Sequence, residues 1–375
     1  MKKVKRFIMG SLILSLLTSC ADVKTLEQMG LITTVGYDSM DGETIHTTML
    51  ILETDPQSME SSNVISNDSL TSKGARIKAN LKSPKKLASG QLRVALYGMG
   101  VAKSGFINLA DTLARDHAIS DLTYLAVVDG EAGEILEHKY EQFADAGQYI
   151  FKEIEQNIKG ETIPSPTLHE ILHKYYSVGI DPSLPLLKLK DDMITIIGMA
   201  ILKDDKLVGS ITPEQAFYVK LVNDHYDAGN FEMTIQNGNG KKLLKKEEES
   251  ELIGISLDTI KSKSLITLTK EKPVEFDLKI KLNARLQEIN KSIDLNDSKN
   301  LDLLDERIKK EMTKKVEELI QYCQSVDSDV FGFGEVYRSS VPHSGLTKKE
   351  WHSMYKDIKV NVSIDFDIVR TGVVE

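Results

Sequence analysis

VEFDLKIKLNARLQEI, residues 274–289, alternates with a period of two. Phe276, Leu278, Ile280 and Leu282 fall on one side, and Asp277, Lys279 and Lys281 on the other. Successive side chains of a strand point to opposite faces, so the pattern predicts a half-buried strand of an antiparallel sheet. The alternation precedes it in ISLDTIKSKSLITLT (255–269) and returns in IKVNVSIDFDIV (358–369). Residues 301–325 space their apolar side chains as one long amphipathic helix. Strands with one helix-covered face place this part of the chain in the α+β class.

Upstream, MGLITTVGYD and TIHTTMLILE (29–53) predict a hairpin across Ser39–Glu43, whose Asp-Gly is a turn signal. Ser58–Ser69 reads as a polar loop. Leu70–Leu87 reads as a helix broken at Pro84, Ala95–Lys103 as a strand, and Ile107–Arg115 as a helix. Leu122–Val128 is apolar without alternation, as expected of a strand buried on both faces. Helices follow near 131–137, 141–158 and 167–178. A composition shift at Gly179–Pro185 marks a boundary. Beyond it come a hairpin in MITIIGMAIL and KLVGSI, a helix opened by the capping box Thr212-Pro213-Glu214-Gln215, and a closing strand at Phe231–Gln236. The expectation is three successive mixed α/β domains with mainly antiparallel sheets, spanning 20–190, 191–251 and 252–375.

The first nineteen residues are set apart as a signal peptide. Four positive charges (Lys2, Lys3, Lys5, Arg6) precede Phe7–Leu17, an apolar run broken only by Gly10, Ser11 and Ser15 and too short to span a bilayer. Leu17-Thr18-Ser19-Cys20 then has the form of a lipoprotein cleavage box, with Cys20 as the attachment site for diacylglycerol and an N-acyl chain; no other cofactor is expected. The chain of 375 residues has 47 basic and 56 acidic side chains. From Cys20 onward 43 basic residues face 56 acidic ones, a formal net charge of −13. Such a surface has no electrostatic reason to seek nucleic acid and is mildly repelled by anionic headgroups, so the anchor, not charge, is expected to hold it at the membrane. With Cys20 acylated, Cys323 has no partner for an intramolecular disulfide.

One motif carries a chemical suggestion of its own. His169-Glu170-Ile171-Leu172-His173 is the His-Glu-x-x-His of zinc peptidases, two imidazoles one helical turn apart with a glutamate as general base. Leu168, Ile171, Leu172, Tyr175 and Tyr176 form the core-facing stripe, leaving both histidines on its flank. A third ligand is missing from the pattern: the longer motif wants Gly at 176 and His at 179, where Tyr176 and Gly179 stand, and no Glu follows before Glu214. The other histidines (46, 117, 138, 225, 343 and 352) are scattered. Asp327–Glu335 (DSDVFGFGE) lacks calcium-loop spacing and reads as two rings buried where the backbone turns closely.

Several blocks together resemble a known family. LTSC (17–20), GLITTVGYD (30–38), GARIKANLKSPKKL (74–87), the stretch 92–136, GIDPSLPLLKL (179–189), IIGMAILKDDKLVGSITPEQA (196–216), DSDVFGFGEVYR (327–338), Trp351 and IKVNVSIDFDIVRTG (358–372) occur in the order of the Ger(x)C lipoproteins. These are the C subunits of nutrient germinant receptors in endospore-forming bacteria. The resemblance implies three mixed domains on the outer face of the spore inner membrane and a complex with integral-membrane A and B subunits. It implies no enzymatic activity and no metal, and it leaves direct nutrient binding open. A zinc peptidase acting through His169, Glu170 and His173, or a solute-binding lipoprotein, are the alternatives.

Overall fold

The computed structural model describes residues 28–41, 43–52, 62–224, 229–237, 252–295 and 297–371. Cys20 lies outside them. The strands form two sheets.

The first sheet begins with the expected hairpin, β1 (Met29–Ser39) and β2 (Ile45–Leu52), paired antiparallel. β3 (Ser62–Ser69) adds an edge strand to β2 where a polar loop was expected. Main-chain pairing carries that edge; only Ile65, Asn67 and Ser69 are fully buried and Val64 is half-buried, so the sequence shows little apolar signal. Helix α1 (Ser72–Asn80) follows, capped by Thr71, and then β4 (Lys86–Ala88). β5 (Val94–Gly98) stops at Gly98, and the chain turns into α2 (Met99–Ser104), shortening the expected strand. Next come α3 (Ile107–Ala114), β6 (Tyr124–Val128), α4 (Ala132–Glu137), α5 (Ala146–Lys159) and α6 (Leu168–Tyr176). The sheet ends with β7 (Ser183–Lys190), β8 (Met193–Lys203) and β9 (Lys206–Ile211), giving the order β3-β2-β1-β5-β6-β7-β8-β9 with β4 beside β1.

The central pairs of this sheet are parallel, from β1 through β5 and β6 to β7. Residues of β5 and β6 therefore feed two cores: Ala95, Tyr97, Leu125 and Val127 on one face, Val94, Leu96, Ala126 and Val128 on the other. This is why Leu122–Val128 shows no alternation. β7 starts inside the composition shift that suggested a boundary. Pro182 and Pro185 mask the strand, and Pro185 precedes the pairing with β6, which begins at Leu186.

α7 (Pro213–Asn223) carries the capping box between Thr212 and Gln215 in full. The second sheet is β10 (Gly229–Gln236), β11 (Leu252–Glu271), β12 (Val274–Ile289) and β13 (Lys359–Thr371), in that order. β12 is the stretch 274–289; Phe276, Leu278, Ile280 and Leu282 are all at most 1 % exposed. It pairs antiparallel with β11 but parallel with β13, which the chain reaches by crossing over through α8 (Ser298–Ser325), α9 (Phe333–Ser340) and α10 (Lys348–Tyr355). α8 lays Leu304, Ile308, Met312, Val316, Leu319 and Cys323 on the sheet. Burial pushes the Cys323 thiol upward, so it acts as a small hydrophobe rather than a nucleophile.

The class is α+β as read. β7 and β8 hydrogen-bond across residues 190 and 191, and β10, from the expected middle unit, pairs with β11 of the next. One apolar core also runs without a break from Leu96 and Ile154 of the first sheet side to Phe276 and Leu319 of the second.

Glu153 lies at the margin of this core. Its Oε1 accepts from the Ile196 N–H at 3.2 Å, while Oε2 is buried with no partner, and burial raises the carboxyl to about 7. A carboxyl raised in the folded state is neutral in both states at low pH. It costs stability as pH climbs from the ordinary carboxylate range to about 7, because the unfolded chain ionises first. Glu153→Gln keeps the Ile196 bond. It is expected to gain about 1–2 kcal/mol at pH 8, allowing for the solvent that a half-buried group retains, and nothing near pH 4. Urea midpoints at the two pH values check this.

Candidate functional site

The His-Glu-x-x-His segment folds as a helix, as expected, but Tyr176, read as core-facing, is 61% exposed. Thr167 Oγ1 caps α6 at the Glu170 N–H, Leu168 and Ile171 are buried, and His169, Glu170 and His173 are exposed. The two imidazole centroids are 6.5 Å apart. No third ligand joins them: among the described residues, the one group of three or more His, Cys, Asp or Glu ligand atoms within 4.8 Å of one another is Asp181, Asp204 and His352. Glu170 and His173 instead border a cleft of about 410 Å³ with Lys174, Asp224 and Glu335. Burial pushes the Lys174 ammonium down, while Asp224, Glu170 and Glu335 pull it back up.

The densest polar constellation lies where the two sheets meet. Four segments converge there: Gly179–Pro182, the β8–β9 turn at Asp204-Asp205, the loop from Asp327 to Gly332, and α10. The Asp181 N–H donates to the Asp329 carbonyl and the Asp329 N–H returns to Asp181 Oδ2, both at 2.8 Å. Asp181 Oδ1 accepts from the Asp204 N–H at 2.8 Å. Asp329 Oδ1 accepts from the Gly332 N–H, and Oδ2 from the Gly334 N–H and Trp351 Nε1, at 2.9, 2.9 and 3.0 Å. Ser328 Oγ donates to the Leu202 carbonyl at 2.6 Å. The chain ends up so close to itself that a Cβ on Gly334 would lie 2.3 Å from Gly179 Cα and 2.5 Å from Trp351 Cε2.

Charges ring this knot. His352 Nε2 is 3.7 Å from Asp181 Oδ1, and its Nδ1 is 3.4 Å from Asp327 Oδ1. Asp327 Oδ2 meets Lys203 at 2.5 Å and Lys356 at 3.4 Å. Lys348 lies 3.2 Å from Asp204 Oδ1, donates to the Tyr175 carbonyl, and sits 4.2 Å above the Tyr175 ring. Burial raises the Asp181 carboxyl, opposed by His352 and the two N–H donors, and raises Asp329 to about 7. Burial pushes Asp327 the same way, but Lys203, His352 and Lys356 hold it below the usual range. Asp181, Asp204 and His352 are the described side chains best placed to hold a cation. Lys348 already supplies positive charge at Asp204, and both Asp181 oxygens accept main-chain bonds. The chemistry is that of a lock between two sheets.

Every segment of the lock comes from a block that carried the family resemblance: GIDPSLP, LKDDKL, DSDVFGFG and Trp351. The aromatic reading of DSDVFGFG holds, since Phe331 and Phe333 are 3 % and 0 % exposed and Gly332 takes φ +78°. Sequence reasoning passed over Asp181, Asp204, Asp329 and His352, whose partners lie up to 171 positions away. The available signal was an acid followed by Gly-x-Gly, a backbone nest in want of a carboxylate.

Residues 22–189 match the family model described as "Spore germination protein N-terminal domain", and residues 197–372 the one described as "Spore germination B3/ GerAC like, C-terminal". Two α+β units carrying these two signatures define the class, a GerAC-type spore germination protein. Spore germination protein GerQC of Bacillus cereus is 23% identical over 373 residues, 99% of this chain and 100% of that one. Putative spore germination protein YfkR of Bacillus subtilis (strain 168) is 20% identical over 75% of this chain and 71% of its own. The crystal structure of the GerBC protein shares the fold, with a TM-score of 0.57 at 14% identity over 92% of this chain and 100% of that one. The chain belongs to the Ger(x)C family.

Proposed function

We propose that this chain is the lipid-anchored, non-catalytic C subunit of a nutrient germinant receptor, held on the outer face of the spore inner membrane and assembled with integral-membrane A and B subunits. One observation carries the reading. The match to spore germination proteins starts two residues beyond Cys20, the cysteine of a lipoprotein cleavage box. Two or more acyl chains on one residue anchor durably, where one binds only marginally. Among the described residues no helix is long and apolar enough to cross a membrane, which fits an anchor of that kind. Assembly and coupling, rather than chemistry, suit a molecule whose most elaborate polar cluster commits Asp181 and Asp329 to main-chain donors. The unbroken core between the sheets disfavours a solute-binding protein closing two lobes on a ligand.

Cys20→Ala is expected to release the protein from spore membranes into the soluble fraction and to slow nutrient-triggered germination, with germination by non-nutrient agents unchanged. Membrane fractionation and the loss of spore refractility read the two effects. Normal germination together with full membrane retention would overturn the assignment.

A further inference from the structure

The chain is acidic overall, yet from Ser69 to Ala110 it contains no Asp or Glu and eight Lys or Arg. Six of these (Lys73, Arg76, Lys78, Lys82, Lys85 and Lys86) fall on α1 and the short segment after it. α1 buries Ala75 and Ala79. At 100° per residue, Ile77 then lies about 180° away from that stripe, with Leu81 close beside it. Both face solvent, 67% and 85% exposed, and Leu70 at the head of the helix is 67% exposed. Lys73, Lys78, Lys82 and Lys86 surround them and are exposed. Lys78 and Lys82 donate to the Asp68 and Ser66 carbonyls on the edge of β3, which fixes the ammonium groups without neutralising them. Among the described residues, Asp68 pairs with His46, Asp116 pairs with Arg76, and Glu137 accepts from Ser66 Oγ.

Exposed apolar side chains among lysines with no acid between them make the composition of a helix that lies in a lipid headgroup layer. The topology puts the Lys86 end of this surface where a tether would deliver it. β4 pairs parallel with the first residues of β1, with Met29 opposite Lys86, so Lys86 lies one strand spacing from the point where the described chain begins. From Gln28 back to Cys20 is eight residues, a reach of at most about 30 Å. A lipid on Cys20 therefore holds this end of the sheet within that distance of the bilayer.

We infer that α1 and the Leu81–Lys86 segment form the membrane-contacting face, binding anionic phospholipid headgroups through their lysines while Ile77 and Leu81 enter the interface. The inference rests on the lipid-anchor reading. The average charge of −13 hides it, because screening limits each headgroup to the charges within about 10 Å. Net charge thus misleads about the one face that meets lipid.

The test uses the mature chain bearing Cys20→Ala, so that no acyl chain contributes, with vesicles of phosphatidylcholine alone or mixed with phosphatidylglycerol. Co-sedimentation is expected only with the anionic vesicles and is expected to fall steeply with salt. Each of Lys78→Gln, Lys82→Gln and Lys86→Gln is expected to lower partitioning about fivefold, and the triple variant about a hundredfold. Ile77→Asn with Leu81→Asn is expected to remove the part that survives high salt. Circular dichroism of every variant guards against misfolding. Equal binding to both vesicle types, or anionic binding untouched by the lysine variants, overturns the inference and leaves α1 as a surface for a protein partner. That failure is separable from failure of the anchor, which the Cys20→Ala fractionation reads in spores.

Discussion

Gly179→Ala is expected to lower the unfolding free energy by about 3–5 kcal/mol. Two independent costs add. Gly179 holds φ +98°, a conformation that costs a residue with a Cβ about 1–3 kcal/mol. The new Cβ would also stand 2.2 Å from the Gly334 carbonyl carbon and 2.5 Å from the Glu335 nitrogen, which are backbone atoms and cannot rotate aside. Relief requires the Gly179–Asp181 segment to retreat from the Gly332–Glu335 turn, lengthening the 3.1 Å bond from the Glu335 N–H to the Gly179 carbonyl and pulling on the Asp181–Asp329 pair. Overpacking of this kind costs about 1–3 kcal/mol by itself. Gly90→Ala is the control: its nearest neighbour is the Ala118 carbonyl oxygen at 3.6 Å, an ordinary contact, so a change within about 0.5 kcal/mol is expected. Urea unfolding of the two variants, followed through both far-ultraviolet dichroism and fluorescence, checks the contrast.

Asp329→Ala is the second large effect, about 3–5 kcal/mol. It strips the acceptor from the Gly332 and Gly334 N–H groups and from Trp351 Nε1, all at a fully buried site. An abandoned buried donor costs about 1–3 kcal/mol, and relief of a buried charge offsets part of the sum. Trp351 is the only tryptophan, so its emission should shift to the red as the ring loses its partner. Asp329→Asn, which keeps one acceptor oxygen, should fall between the variant and the parent and should separate the charge from the hydrogen bonds. Burial raises the Asp329 carboxyl to about 7, so its contribution is full at low pH and declines as pH rises from the ordinary carboxylate range to about 7. Asp181, raised for the same reason, declines in the same direction. The asparagine variant should therefore show a flatter stability profile over that window than the parent. An unchanged slope would mean that another group sets it.

The secondary structure was legible wherever a local rule governs it. Period-two alternation marked β11, β12 and β13; the Thr212–Gln215 box marked the start of α7; the unbroken apolar run of 122–128 announced the parallel centre of the first sheet. Misreadings came where partners supply what the sequence lacks. β3 is polar because an edge strand is held by main-chain bonds to β2, and β7 looks like a linker because two prolines sit at its start. A composition shift records local residues, whereas sheet membership is decided by hydrogen bonds between segments far apart.

For function, the contrast between two short motifs is instructive. The His169–His173 spacing is a local property of one helix and survives in the structure, but a metal site needs a third ligand from elsewhere, and the fold brings none among the described residues. Asp181, Asp204 and His352 showed nothing in sequence, Asp329 only the Gly-x-Gly that follows it, and the fold assembles them into the lock between the sheets. By itself the sequence determined the strand and helix periodicities and the acid-free basic stretch 69–110, because each depends only on the order of neighbouring residues. Only the tertiary structure decided that two sheets share one core, that four distant segments meet around Asp329, and that the basic stretch places Lys86 of β4 beside the start of β1, because burial and pairing depend on which distant residues the folded chain brings within reach.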